Sequence, residues 1–126
     1  MPSRISPTTR KKISKRPGRF LTLGLDVTGW RCLVVGGGRI GARKAMTLME
    51  HGAKVVVCSP RIEPGLRKAV QEQKLVWKQG EYNRARLRGV RLVVAATHDA
   101  ALNLRISEDA EARGIPCCVV SAKRQT

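Results

Sequence analysis

The chain has 126 residues, 42% of them apolar and only 3% aromatic, a length that suits one domain and excludes a second full one. With so few aromatics the core must be aliphatic, which favours a parallel sheet covered by helices over an aromatic-rich sandwich or barrel. Twenty-five Lys and Arg against nine acids give a net charge of +16, a field that attracts polyanions and carries no information about fold.

Residues 1–19 hold seven cations and no acid. Pro2, Pro7 and Pro17 break any helix and the charges repel one another, so this stretch reads as a disordered basic arm. Its prolines and weak apolar periodicity argue against an amphipathic targeting helix. The remaining residues, 20–126, carry +9 and read as one folded domain. Phe20 to Val27 alternates loosely as a short lead-in strand, and Asp26 to Gly29 makes a turn.

From Arg31 the pattern becomes regular. Cys32 to Val35 is an apolar run of the kind buried on both faces of a sheet. It runs into Gly36-Gly37-Gly38, and Ile40 to His51 follows with apolar residues at helical spacing, stopped by Gly52. Val55 to Cys58 is a second buried strand, ended by Ser59-Pro60. Pro64 to Gln73 reads as a helix, with proline tolerated in its first turn. Leu75 to Lys78 is a third, weaker strand, and Tyr82 to Gly89 a connection with one helical turn. Leu92 to Ala96 is the fourth strand, Ala100 to Arg113 a helix capped around Thr97–Asp99 and closed by Gly114, and Cys117 to Val120 the fifth strand.

Buried strands alternating with helices imply parallel pairing through right-handed crossovers. The expected architecture is an α/β, doubly wound, five-stranded parallel sheet of order 3-2-1-4-5, Rossmann-like. Ligands in such sheets bind at the strand C-terminal ends beside the point where the order reverses. Gly36–Gly41, Pro60–Arg61, Thr97–Asp99 and Ser121 all fall on that edge.

Gly36-Gly37-Gly38-Arg39-Ile40-Gly41 fits GxGxxG, and it stands between a strand and a helix, the context that gives this fingerprint weight. Gly36 allows the tight turn, Gly38 admits a pyrophosphate to the backbone, and Gly41 lets the helix pack close to the strand. Free N–H groups and the positive helix end then meet the phosphates. Strand two should end in an acid if an NAD ribose is gripped in the usual way. Here the residues are Cys58-Ser59-Pro60-Arg61. Ser59 could bond a ribose hydroxyl and Arg61 could meet a 2′-phosphate, which leaves NADP open beside NAD.

These residues carry a family resemblance. Arg31-Cys-Leu-Val-Val-Gly-Gly-Gly-Arg-Ile-Gly-Ala-Arg-Lys44 and Glu50-His-Gly-Ala-Lys-Val-Val-Val-Cys-Ser-Pro60 closely resemble the N-terminal domain of siroheme synthase and the stand-alone precorrin-2 dehydrogenases. So do Val93-Val-Ala-Ala-Thr-His-Asp99 with Asn103, and Gly114-Ile-Pro-Cys-Cys-Val-Val120. The resemblance covers about residues 20–122. It implies an NAD-dependent oxidation of precorrin-2 to sirohydrochlorin in siroheme or cobalamin synthesis, with iron insertion in some members. It also implies cofactor contacts at Arg39, Ile40, Pro60 and Arg61. The family uses NAD without an acid after strand two, which tips the choice toward NAD. Its substrate is an anionic tetrapyrrole, whose approach the positive field would favour.

Two departures stand out. The family places an aspartate after strand five in an Asn-Val-Val-Asp pattern, whereas this chain has Cys118-Val119-Val120-Ser121, and a serine hydroxyl is no carboxylate base. Family members also continue into a dimerisation region and helices that complete the tetrapyrrole site, whereas this sequence stops at Thr126. The expectation is a truncated or diverged member, or one completed by a homodimer mate or a C-terminal partner. The alternative is a non-catalytic dinucleotide-binding module, a redox sensor or partner-dependent subunit.

Among the remaining candidates, His98 could move protons on the ligand edge, although an exposed histidine beside a helix cap is the blander expectation. Thr97 and Asn103 are candidate cofactor contacts, Asn103 either facing the cofactor or exposed on its helix. Asp99 reads first as a cap and Cys58 as a small core hydrophobe. Cys32, Cys58, Cys117 and Cys118 form no CxxC pair and lie in or beside strands, which points to a reducing, cytoplasmic setting. No apolar run approaches ~20 residues, so no membrane partner is expected. A nucleic-acid partner is disfavoured because Phe20, Trp30, Trp77 and Tyr82 are scattered as stacking residues. No metal site is legible.

Overall fold

The computed structural model describes residues 22–120; the basic arm, Phe20 and Ser121 lie outside the described residues. Five strands form one sheet: β1 (Arg31–Val35), β2 (Lys54–Ser59), β3 (Val76–Gln79), β4 (Leu92–Ala95) and β5 (Cys117–Val119). Their order is β3-β2-β1-β4-β5, and every pairing is parallel. Three helices cross between them: α1 (Arg39–Glu50), α2 (Pro64–Gln71) and α3 (Ala100–Ala112). A 3-10 turn, Arg84–Leu87, lies between β3 and β4.

Alternate residues of each strand serve opposite layers, as the pleat requires. Cys32, Val34, Val55 and Val57 point to one side and are covered by Ala42, Ala45, Leu66 and Ala69 of α1 and α2. Leu33, Val35, Val93 and Ala95 point to the other and meet Ile106 and Ala110 of α3 with Leu87 of the 3-10 turn. This central sheet is buried on both faces, which is why its strands read as unbroken apolar runs. The fully buried side chains of both layers are aliphatic or thiol apart from Tyr82 in the second, while the half-buried Trp30 and Trp77 pack against the first. Adjacent Cys117 and Cys118 divide between the two layers, and all four cysteines are free thiols.

Some expected boundaries move. No strand forms over 22–27. Leu23 and Leu25 are exposed and only Val27 is buried, and β1, the strand this segment leads into, already has a partner on each side, so the segment adds no strand beside it. It ends in the expected turn, where Asp26 Oδ1 accepts from Thr28 N–H at 3.1 Å. Helix α2 stops at Gln71, two residues early, because Gln73 adopts φ +61°. Gly52 does end α1 as read, with φ +88° and its N–H on the Met49 carbonyl.

Candidate functional site

The sheet order reverses between β1 and β4, and the C-terminal ends of β1, β2 and β4 open a cleft there. Gly36 follows β1 with φ +118°, and a Cβ at this position would strike the Ala96 carbonyl oxygen. The chain turns sharply into α1, so that a side chain at Gly41 would overlap the Gly36 carbonyl. Gly37 is held from the other side: its carbonyl accepts from Glu63 N–H at 2.8 Å, and a Cβ on it would meet the Arg61 carbonyl and the Ser59 hydroxyl. Three glycines are therefore required by packing. Gly38 differs, since a Cβ there would find nothing nearer than His98 Nε2 at 3.7 Å.

No side chain caps α1 and no acid stands in its first turn. Its first intrahelical bond runs from Ala42 N–H to Gly38 O at 2.8 Å, which leaves the preceding amides without an intrahelical partner. Helix α3, one strand away, is satisfied differently: Asp99 Oδ1 accepts from Ala101 and Leu102 N–H at 3.0 and 3.2 Å. All three helices start on this edge and α2 also lacks a side-chain cap, but α2 opens on Pro64, and it is α1 whose leading glycines line the cavity, where its free donors suit an external anion.

A cavity of about 480 Å³ lies over this point. Gly36, Gly37 and Gly38 form one wall, Ser59, Pro60 and Arg61 a second, and Thr97 with His98 a third. The structure thus gathers most of the residues singled out from the sequence. Arg39 is exposed and Ile40 half-buried at the start of α1, and neither lines the cavity. His98 is exposed beside the Asp99 cap, overlooking Gly38. Ser121 lies outside the described residues.

Asn103 is neither exposed nor turned to the cavity. It is 3% exposed, its Oδ1 accepts from Thr97 N–H and Thr97 Oγ1–H at 3.1 and 2.7 Å, and its Nδ2 donates to the Thr97 carbonyl at 3.0 Å. It ties the β4 exit loop into shape behind the cavity wall. Ser59 is also buried, and its hydroxyl proton goes to the Arg61 carbonyl, so it has no donor left for a ribose.

The sequence reading missed the floor. Gly80, Glu81 and Tyr82, just past β3, line the cavity too, and the strand-end rule applied to β3 would have found them. Tyr82 is buried, donates to Asp109 Oδ2 at 2.8 Å and lies under Arg105 at 5.9 Å. Burial first, then the hydrogen bond to Asp109, pushes its phenol above the ordinary range. Burial likewise raises the Cys58 thiol at the end of β2. Both groups stay neutral at physiological pH and act as surface, not as acid or base. Among the described residues no three His, Cys, Asp or Glu gather into a metal-holding group, and no helix is long and apolar enough to cross a membrane.

A parallel sheet with an uncapped, glycine-led helix at its switch point defines a dinucleotide-binding domain of Rossmann type. A family model described as "Putative NAD(P)-binding" matches residues 23–126, and the chain belongs to that family. It is 45% identical over 91 residues to a siroheme synthase of Methylobacillus flagellatus, an alignment covering 72% of this chain and 20% of that protein. To a siroheme synthase of Chromobacterium violaceum it is 43% identical over 101 residues, covering 80% of this chain and 22% of that protein. Among solved structures, SirC, a precorrin-2 dehydrogenase, superposes with a TM-score of 0.66 at 30% identity, covering 70% of this chain and 44% of that one. The chain thus spans about a fifth of the curated relatives it matches.

The residues fit the cofactor. The open side of Gly38 and the unclaimed amides at α1 suit a pyrophosphate, and the walls are otherwise apolar or neutral save Arg61, His98 and Glu81.

Proposed function

We propose that this chain is the NAD-binding part of a precorrin-2 dehydrogenase of siroheme synthesis, oxidising precorrin-2 to sirohydrochlorin. The observation that carries the reading is the uncapped start of α1 beside Gly38, opening into a cavity at the sheet's switch point. NAD supplies a hydride acceptor when bound. The chain's own contribution is to seat the pyrophosphate on main-chain amides, fix Thr97 through Asn103, and present His98 over the glycine loop. The cationic excess draws in the carboxylate-bearing tetrapyrrole. A second copy or a C-terminal partner completes the tetrapyrrole side, and the cytoplasm is the setting.

Turnover decides it. Purified chain, precorrin-2 and NAD should yield NADH and sirohydrochlorin together, and replacing Gly38 by Ala should abolish both. Ser121, standing where the related aspartate is expected, favours a second reading: a dinucleotide-binding module without chemistry. That reading predicts NAD binding with no NADH formed.

A further inference from the structure

We infer that the second face of the sheet, over β2 and β3, is a docking surface for an acidic amphipathic helix of a partner protein, seated where the crossover from β3 to β4 leaves the strands uncovered.

A doubly wound sheet carries helices on both faces. Here α1 and α2 cover the first face, whereas the second has only α3 and the four-residue turn Arg84–Leu87. The buried side chains of these two gather with those of β1, β4 and β5. Of β2 and β3 only Cys58 is fully buried among them, with Val56 half-buried at the margin. The rest of that surface is open. Val56 and Val76 pair in register and share this face, and Val76 is 52% exposed. Lys54 stands one row before them and Lys78 one row after, both exposed. About 13 Å of strand separates the two lysine rows, a length spanned by about nine helical residues. Valines with a cation at either end match a helix that carries one apolar stripe flanked by carboxylates.

Charge selects the occupant. Neither lysine is paired with a carboxylate of the described residues. Of the acids flanking β3 in sequence, Glu72 is bonded to Lys74 at 3.2 Å and Glu81 lines the cavity. Arg86 adds a third cation at the far end of β3, its Nη2 lying 3.5 Å from where a Cβ on Gly80 would stand, and its Nε is buried with no hydrogen-bond partner. A second copy of this chain would set cation against cation here. A nucleic acid would leave the valines without an apolar partner, and the nearby ring, Trp77, packs against the first layer. Guarding an edge strand against further pairing explains Lys78 on β3, but Lys54 stands on β2, inside the sheet. Lys54, Val56, Val76 and Lys78 do not line the dinucleotide cavity, so this surface is separate from the site proposed above.

The test titrates the full chain with a synthetic peptide of about 14 residues, Leu at i, i+3, i+4 and i+7 and Ala or Glu elsewhere. A peptide of the same composition, scrambled to remove the stripe, and oligo(dT) are titrated beside it. The amphipathic peptide should bind saturably, shift the amides of residues 54–58 and 76–78, and bind at least about tenfold more tightly than the scrambled one. Lys54→Glu combined with Lys78→Glu, and separately Val76→Glu, should each weaken it by at least about tenfold. Thermal melting of each variant checks that it is folded. Equal affinity for the scrambled peptide, shifts outside these strands, or folded variants that bind like the wild type overturn the inference. So does tighter binding of oligo(dT) at the same residues, or a self-association of the chain that Val76→Glu abolishes.

Discussion

A methyl group added at Gly37 would run into the Arg61 carbonyl and the Ser59 hydroxyl, and one at Gly41 into the Gly36 carbonyl. Backbone cannot step aside, so the surroundings must shift, at a typical cost of about 1–3 kcal/mol. A methyl at Gly38 meets only the tip of His98, at 3.7 Å. Gly37→Ala and Gly41→Ala should therefore lower the urea midpoint clearly, while Gly38→Ala leaves it close to that of the wild type. Equal losses at all three positions would refute this division. The glycine fingerprint was legible in the sequence, but its assignment of roles was only partly so. Gly37, the unassigned position of GxGxxG, proves to be wedged by the β2–α2 loop, a long-range contact that spacing along the chain does not encode.

At the scale of elements, the three central strand runs and two of the three helices could be read directly, because burial on both faces leaves uninterrupted apolar stretches. The lead-in strand could not, since its failure to pair depends on β1, the strand it leads into, being central and already paired on both sides. Nor could the end of α2, fixed by one residue at positive φ. Asn103 makes the same point for the site. Its place one turn into α3 suggested a contact with the cofactor, yet it secures the β4–α3 junction with three hydrogen bonds to Thr97. Truncating it strands buried polar groups at roughly 1–3 kcal/mol. Asn103→Ala should destabilise the fold by about 2 kcal/mol in urea unfolding, whereas Asp99→Ala, which removes only a cap, should cost about 1. A reversed ranking would contradict the structure.

For the whole molecule, buried acids set the alkaline limit. Burial pushes the Cys32 thiol from 9.0 up to about 11, and raises Cys58 and Tyr82 as well. Below pH 9 the Cys32 thiol is protonated in both states and its contribution to stability is fully present. Between 9 and 11 the unfolded chain has lost the Cys32 proton that the folded chain keeps, so stability falls as pH rises. Unfolding in urea should show a loss of about 1 kcal/mol between pH 8 and pH 10, and Cys32→Ala should flatten part of it. A midpoint independent of pH over that range would show that these groups are not shielded as described.

The proposed function requires an anion resting against the amides that open α1. The most direct measurement is an amide chemical-shift titration of the chain with NAD, followed by the same titration of Gly38→Ala. The prediction is saturable shifts concentrated at Gly36–Gly41, Arg61 and Thr97–His98, and their loss in the variant although it melts like the wild type. Shifts elsewhere, or a variant that binds as well as its parent, would contradict it.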